Sequence, residues 1–191
     1  DSTGARLGRG DLLVAEADES DGSFLSLAPV ITVITNIDHE HMDHYGDFET
    51  LKEAFVKFVQ NIPFYGFATM CIDHAEIQAL VPRFTERRVI TYGISPQADF
   101  RAVDVSADAA GSSFTVVISN RASATASEFG RFTMPMVGDH NIRNTLAAIV
   151  IAKELGIDAD VIRGALKNFG GVKRRFTQTG VVNDVTIIDD Y

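Results

Sequence analysis

Short apolar runs at Leu12 to Ala17, Val30 to Thr35, Phe67 to Ile72 and Val89 to Tyr92 alternate with amphipathic stretches, the order expected of strands and crossover helices in an α/β sheet. The first clear helix is predicted after Asp47, whose carboxylate can cap free N–H groups. Phe48, Leu51, Phe55, Phe58 and Val59 then trace one apolar face as far as Asn61-Ile62-Pro63. A second helix is predicted from Ala75 to about Val81, where Ile77, Leu80 and Val81 share a face and Pro82 follows.

From Asp99 to Met136 the pattern changes to alternation, as in Phe114-Thr115-Val116-Val117-Ile118. This predicts antiparallel strands with loose hairpins, broken at Gly111 and in the Ser/Ala-rich stretch Ala122 to Ser127. Helices are predicted again at Asn141 to Leu155, closed by Gly156, and at Ala159 to Phe169, closed by Gly170-Gly171. Val185 to Ile188 reads as a buried strand. The expected fold class is therefore α/β: a mainly parallel sheet flanked by helices, with a smaller antiparallel subsheet. Asp1 to Asp11 carry no hydrophobic pattern, and Asp189-Asp190-Tyr191 end abruptly after a strand, so an excised piece of a larger protein is expected.

At 191 residues, with 46% apolar and 23% charged, the chain has the composition of an ordinary globular protein and not of a disordered one. Seventeen basic against twenty-six acidic residues leave a formal charge of -9, which argues against duplex nucleic acid or an anionic membrane surface as the main partner. Cys71 is the single cysteine, so no intrachain disulfide can form and a reducing, cytoplasmic home is the simplest expectation. No twenty-residue apolar run suggests a membrane span.

The chemistry concentrates in four places. Glu16-Ala17-Asp18-Glu19-Ser20-Asp21 follows the first predicted strand, at the sheet edge that presents ligands, and its carboxylates suit a hard divalent cation. A solvated acidic turn would explain the same run. Thr35 to His44 follows the second strand and holds His39, His41 and His44. Read as a string, His39-x-His41-x-Asp43-His44 matches the HxHxDH run of metallo-β-lactamase-fold hydrolases, which makes a metal-dependent hydrolase the rival reading. Only His74 and His140 remain to complete such a site. Asn141 and Asn144 share a face in the first turn of a helix, where amides can meet a base edge or act as caps. Lys173-Arg174-Arg175 concentrates cations after a helix in an acidic chain and suits an anionic ligand such as phosphate.

Taken in order, the motifs EADESDGSF, TNIDHEHMDHYGDF, GDHNIRNTLAA, GGVKRRF and IIDDY resemble those of the central ATPase domain of the Mur ligases, over essentially the whole chain. The resemblance implies ATP-dependent joining of L-alanine to the carboxylate of UDP-N-acetylmuramate through an acyl-phosphate, in cytoplasmic peptidoglycan precursor synthesis. It implies that residues 1–188 form the ATP-binding domain and 189–191 begin a hinge, with N- and C-terminal domains elsewhere in the full-length protein. Its cofactors would be ATP and Mg²⁺. Glu16 and His41, rather than His39, would be metal ligands. His140, Asn141 and Asn144 would line the adenine pocket, with Asn36 also on the nucleotide side. Arg175 would approach the phosphates and, with Glu16 and His41, make up the catalytic set; Asp190 would meet the ribose. Two departures stand out: no GxxxxGK[ST] phosphate loop occurs, and Asp139 stands where many relatives carry Arg. Such a piece is expected to fold but not to catalyse alone, and a non-catalytic nucleotide-binding module is the remaining alternative.

Overall fold

A computed structural model of the chain describes residues 7–108, 110–120, 123, 125–171, 177–183 and 185–189. Three strands, β1 (Ile31–Ile34), β2 (Phe67–Cys71) and β3 (Val89–Gly93), pair in parallel, and β3 pairs in parallel with β4 (Phe100–Asp108). The sheet then continues antiparallel through β5 (Gly111–Asn120) and β6 (Thr125–Met134), giving one six-stranded sheet in the order β1-β2-β3-β4-β5-β6. The expected antiparallel part is thus an extension of the parallel sheet, joined to it through β4. Thr125 to Ser127, expected as a break, pair with Asn120 to Ile118 as the start of β6.

Five helices accompany the sheet among the described residues: α1 (Met42–Tyr45), α2 (Phe48–Gln60), α3 (Ala75–Leu80), α4 (Asp139–Glu154) and α5 (Ala159–Lys167). Asp47 caps α2 as expected, its carboxylate accepting from Thr50 N at 2.7 Å. All five residues of β2 are buried, and because successive side chains of a strand point to opposite faces, the sheet is covered on both sides there. α3 packs on β2, and α4 lies across β2, β3 and β4. Ile142, Leu146, Ile149 and Val150 of α4 join Met70, Tyr92, Phe114 and Phe132 of the sheet in one core; each such side chain taken out of water stabilises the fold by about 1.5–3 kcal/mol. α5 ends at Lys167, before the two glycines, because Asn168 Nδ2 donates to the Gly164 carbonyl at 2.9 Å and satisfies a last-turn acceptor.

Two expectations fail. Leu12 to Ala17 form no strand, and Leu13 is 93% exposed. An apolar run becomes a strand only where a neighbour supplies a ladder, and among the described residues none pairs with it. β1, at the edge of the sheet, bonds β2 alone among the described residues. Val185 to Ile188 do form a strand, β8 (Val185–Asp189), but among the described residues it pairs only with β7 (Thr177–Val182), and Val185 is 63% exposed. A two-stranded ribbon has no second layer of its own to bury its apolar face. No helix among the described residues is long and apolar enough to cross a membrane.

Candidate active site

The segments leaving β1, β2 and β3 gather at the carboxyl edge of the parallel strands, where open α/β sheets bind ligands. Against them lies the acidic loop, placed by packing and not by a strand of its own. Phe24, 3% exposed, sits on α2 with its ring centroid 4.9 Å from that of Phe58. Asn61 Nδ2 donates to the Leu25 carbonyl at 3.1 Å, and the Tyr45 hydroxyl donates to the Glu19 carbonyl. Within the loop, Ser20 N and Ser23 N donate to Asp18 and Asp21 at 2.9 Å each. Those bonds, with the serine hydroxyls, hold both carboxyls below the usual carboxylate range.

His41 is the hinge of the cluster. Its φ of 58° lies in the left-handed region, which costs a side-chain-bearing residue roughly 1–2 kcal/mol. The conformation is held by His44 N and Tyr45 N, which donate to the His41 carbonyl at 3.0 and 3.1 Å. It aims Nε2 at Glu19 Oε1, 3.6 Å away, and at Glu40 Oε2, 3.9 Å away. The ligand atoms of Glu19, Glu40 and His41 all lie within 4.8 Å of one another. Two carboxylates and an imidazole fit a divalent cation whose other positions go to water or phosphate oxygens. Glu16 is exposed and stands outside this set. His39 instead stacks on Phe48 at 3.6 Å and His44 meets Tyr45 edge-on at 4.7 Å. The HxHxDH string therefore does not converge on one point, and among the described residues the parallel strands belong to one six-stranded mixed sheet with only a two-stranded ribbon beside it, so the hydrolase reading is set aside.

After β1, Asn36 is committed to a local network. It accepts from Thr35 Oγ1 at 2.8 Å and donates Nδ2 to Asp38 Oδ2 at 2.6 Å, while the other Asp38 oxygen meets His74 Nε2 at 3.2 Å. The Asn36 amide first, and His74 second, hold the Asp38 carboxyl below the usual carboxylate range. A cleft of about 160 Å³ is lined by Glu19, Asn36, Asp38 and Glu40 together with Ile34, Leu51, Phe55 and Phe58.

The third region is the entry to α4. Gly138, at φ 99°, makes the turn, and a Cβ there would stand 2.9 Å from His140 Cε1, so the glycine leaves room for that ring. His140 and Asn144 are exposed, whereas Asn141 turns its Nδ2 back to the Val137 carbonyl at 2.8 Å. This first turn offers ring and amide donors and acceptors of the kind a purine edge requires. Arg175 and Asp190 lie outside the described residues. Sequence reasoning read Glu19 only as one carboxylate of a cation-suited run, Glu40 only as part of the histidine segment and His74 only as a spare ligand for the hydrolase reading, and it singled out none of them as a site residue. It also passed over Asp73 and Arg143, which bond each other at 3.0 Å although seventy positions apart.

The family model described as the Mur ligase middle domain matches residues 7–152. The UDP-N-acetylmuramate–L-alanine ligase of Brucella anthropi is 57% identical over 189 residues, 99% of this chain and 40% of that protein. The chain thus spans about 40% of the length of the curated relatives it matches. The crystal structure of UDP-N-acetylmuramate-alanine ligase from Thermotoga maritima superposes with a TM-score of 0.72 at 25% identity, covering 92% of this chain and 37% of that one. The MurF ligase of the same organism, solved in complex with ADP, has a TM-score of 0.64 at 17% identity over 84% of this chain and 35% of that one, a likeness of fold alone.

Proposed function

The chain belongs to the Mur ligase family, whose middle domain it carries, and from that premise we propose that it is the ATP-binding part of an enzyme joining L-alanine to UDP-N-acetylmuramate in cytoplasmic peptidoglycan precursor synthesis. One observation carries the reading: similarity to an L-alanine-adding ligase runs over 99% of the chain, and so takes in both the Glu19–Glu40–His41 cluster and the first turn of α4. On this reading residues 1–188 are the central domain and residues 189–191 begin the hinge, with the sugar-nucleotide and amino-acid domains supplied by the rest of the full-length protein.

Phosphoryl transfer to a carboxylate brings two anions together, so its barrier is largely electrostatic. The carboxyl edge is itself negative, with Glu19, Glu40 and Asp18 near His41 and Asp38 lining the same cleft as Glu19 and Glu40. A magnesium ion there would supply the positive charge that lets triphosphate and substrate carboxylate approach. The residues with the chemistry to hold it are His41, Glu19 and Glu40, with Glu16 from the same acidic loop. His140, Asn141 and Asn144 bind and orient the adenine, Asn36 lies on the nucleotide side, Arg175 faces the phosphates and Asp190 the ribose. Phe24 and Tyr45 keep the acidic loop against α2, so that its carboxylates are in place before the nucleotide arrives.

The test is phosphate release by the full-length parent. It should require ATP, Mg²⁺, UDP-N-acetylmuramate and L-alanine together. Release that ignored the sugar nucleotide would contradict the ligase reading, and nucleotide binding without any release would favour the non-catalytic module.

A further inference from the structure

The carboxylate of Asp73, just beyond β2, is 12% exposed and makes three bonds. Oδ2 accepts from Ile94 N at 2.8 Å, Oδ1 accepts from Ser95 N at 2.8 Å, and Arg143 Nε of α4 donates to Oδ2 at 3.0 Å. The loop it grips is held from its other side as well, since Arg101 Nε donates to the Ile94 carbonyl at 3.2 Å. A Cβ on Gly93 would stand 2.4 Å from Asp73 Oδ1, so the end of β3 is shaped around this carboxylate. One side chain therefore ties the ends of two adjacent parallel strands to the first turns of the helix that crosses them.

We propose that Asp73 and Arg143 are positioning residues that set the rotation of α4 about its axis, and thereby the placement of His140 and Asn144 toward the adenine base. The apolar stripe of α4 holds the helix on the sheet, but apolar contact is non-directional and tolerates small rotations. Arg143 follows His140 by three positions and precedes Asn144 by one, so a bond from Arg143 to a carboxylate anchored on the strands fixes the angle of that turn. With side-chain tips about 5 Å from the axis, a rotation of roughly 15° moves them by about 1 Å, enough to misplace hydrogen-bonding groups against a planar base. Neither residue touches the nucleotide in this scheme; both act through α4.

The proposal rests on the ligase reading above, and its test separates the two. In the full-length parent, ADP affinity is measured by calorimetry for wild type, Arg143→Gln and Arg143→Lys, with KM for all three substrates and the thermal midpoint. Arg143→Gln removes the charged donor and leaves the bonds of Asp73 to Ile94 and Ser95 intact. It should weaken ADP and raise KM for ATP by about tenfold, the loss expected for one charge-assisted bond, without moving KM for the sugar nucleotide or the amino acid. Arg143→Lys, which keeps a cationic donor where only one bond is made, should recover most of the affinity. Unchanged ADP affinity in Arg143→Gln would overturn the proposal. So would a parallel rise of all three KM values with a fall in thermal midpoint, since that marks a general structural role. A wild-type parent that bound no adenine nucleotide would remove the ligase reading itself.

Discussion

His74 Nε2 lies 3.2 Å from Asp38 Oδ1, joining the segment that follows β2 to the one that follows β1 at the edge where the acidic cleft opens. The Asn36 amide and then His74 hold the Asp38 carboxyl below its usual range. A depressed carboxylate stabilises the fold above its unfolded value, about 3.9, and loses that contribution as pH falls through the lower folded value. Asp38→Asn should therefore lower the urea midpoint at pH 7, and the gap to wild type should close as pH is taken below about 4. The side chain is 54% exposed, so the gap should be small and should shrink in high salt.

His41 should show function and stability pulling apart. In the full-length parent, His41→Ala and Glu16→Ala should each cut turnover by about 10²-fold or more without unfolding the protein. His41→Gly should be equally inactive yet more stable than His41→Ala by roughly 1 kcal/mol, because glycine adopts a positive φ without the Cβ penalty. Circular dichroism melts of the two variants beside the turnover assay decide this. Near-normal turnover in both alanine variants would remove the metal assignment.

Glu19→Gln separates the clustered carboxylate from the exposed Glu16. It should weaken binding of Mn²⁺, used as a spectroscopic probe in the presence of nucleotide, because it removes one of the two carboxylates whose oxygens lie within 4.8 Å of the His41 ligand atom. Unaltered Mn²⁺ affinity would place the cation away from this cluster.

Phe24→Ala should cost about 3–5 kcal/mol by opening a void between the acidic loop and α2. Measured by urea denaturation, Phe24→Leu should cost less because it refills most of the volume. Metal affinity should fall with the alanine variant, since Phe24 holds the loop that carries Glu19.

Gly93→Ala should behave as a lesion of Asp73. The added methyl would lie 2.4 Å from Asp73 Oδ1, a distance no folded structure tolerates, so the carboxylate must move and loosen its bonds to Ile94, Ser95 and Arg143. ADP affinity in Gly93→Ala should fall at least as far as in Arg143→Gln, and adding Arg143→Gln on top should produce little further loss, because both act on one link.

Elements whose cause is local were legible in the order of residues. α2 needs only Asp47 as a cap and the stripe Leu51, Phe55, Phe58, and both read directly; the antiparallel half of the sheet is announced by the alternation from Phe114 to Ile118. Leu12 to Ala17 misled for the opposite reason. Their apolar character says that a strand is possible, but a strand is completed by a ladder from another segment, and none of the described residues supplies one. The strand at Val185 shows the same limit: its hydrogen bonds are made within a ribbon, while its burial depends on a second layer.

By itself the sequence determined the α/β alternation, the acidic run, the histidine cluster and the turn that opens α4, because each follows from residue types a few positions apart. The tertiary structure decided which of these groups meet. Three histidines within six positions look like one ligand set, yet the backbone sends His39 onto Phe48, His44 onto Tyr45 and His41 alone toward Glu19 and Glu40. Asp73 and Arg143 carry no signal in the chain at all, being an ordinary acid and base seventy positions apart. They become a pair only because parallel pairing puts the ends of β2 and β3 side by side and the packing of α4 lays its first turns over both. Side-chain direction and long-range adjacency are set by the packed backbone, and no local pattern contains them.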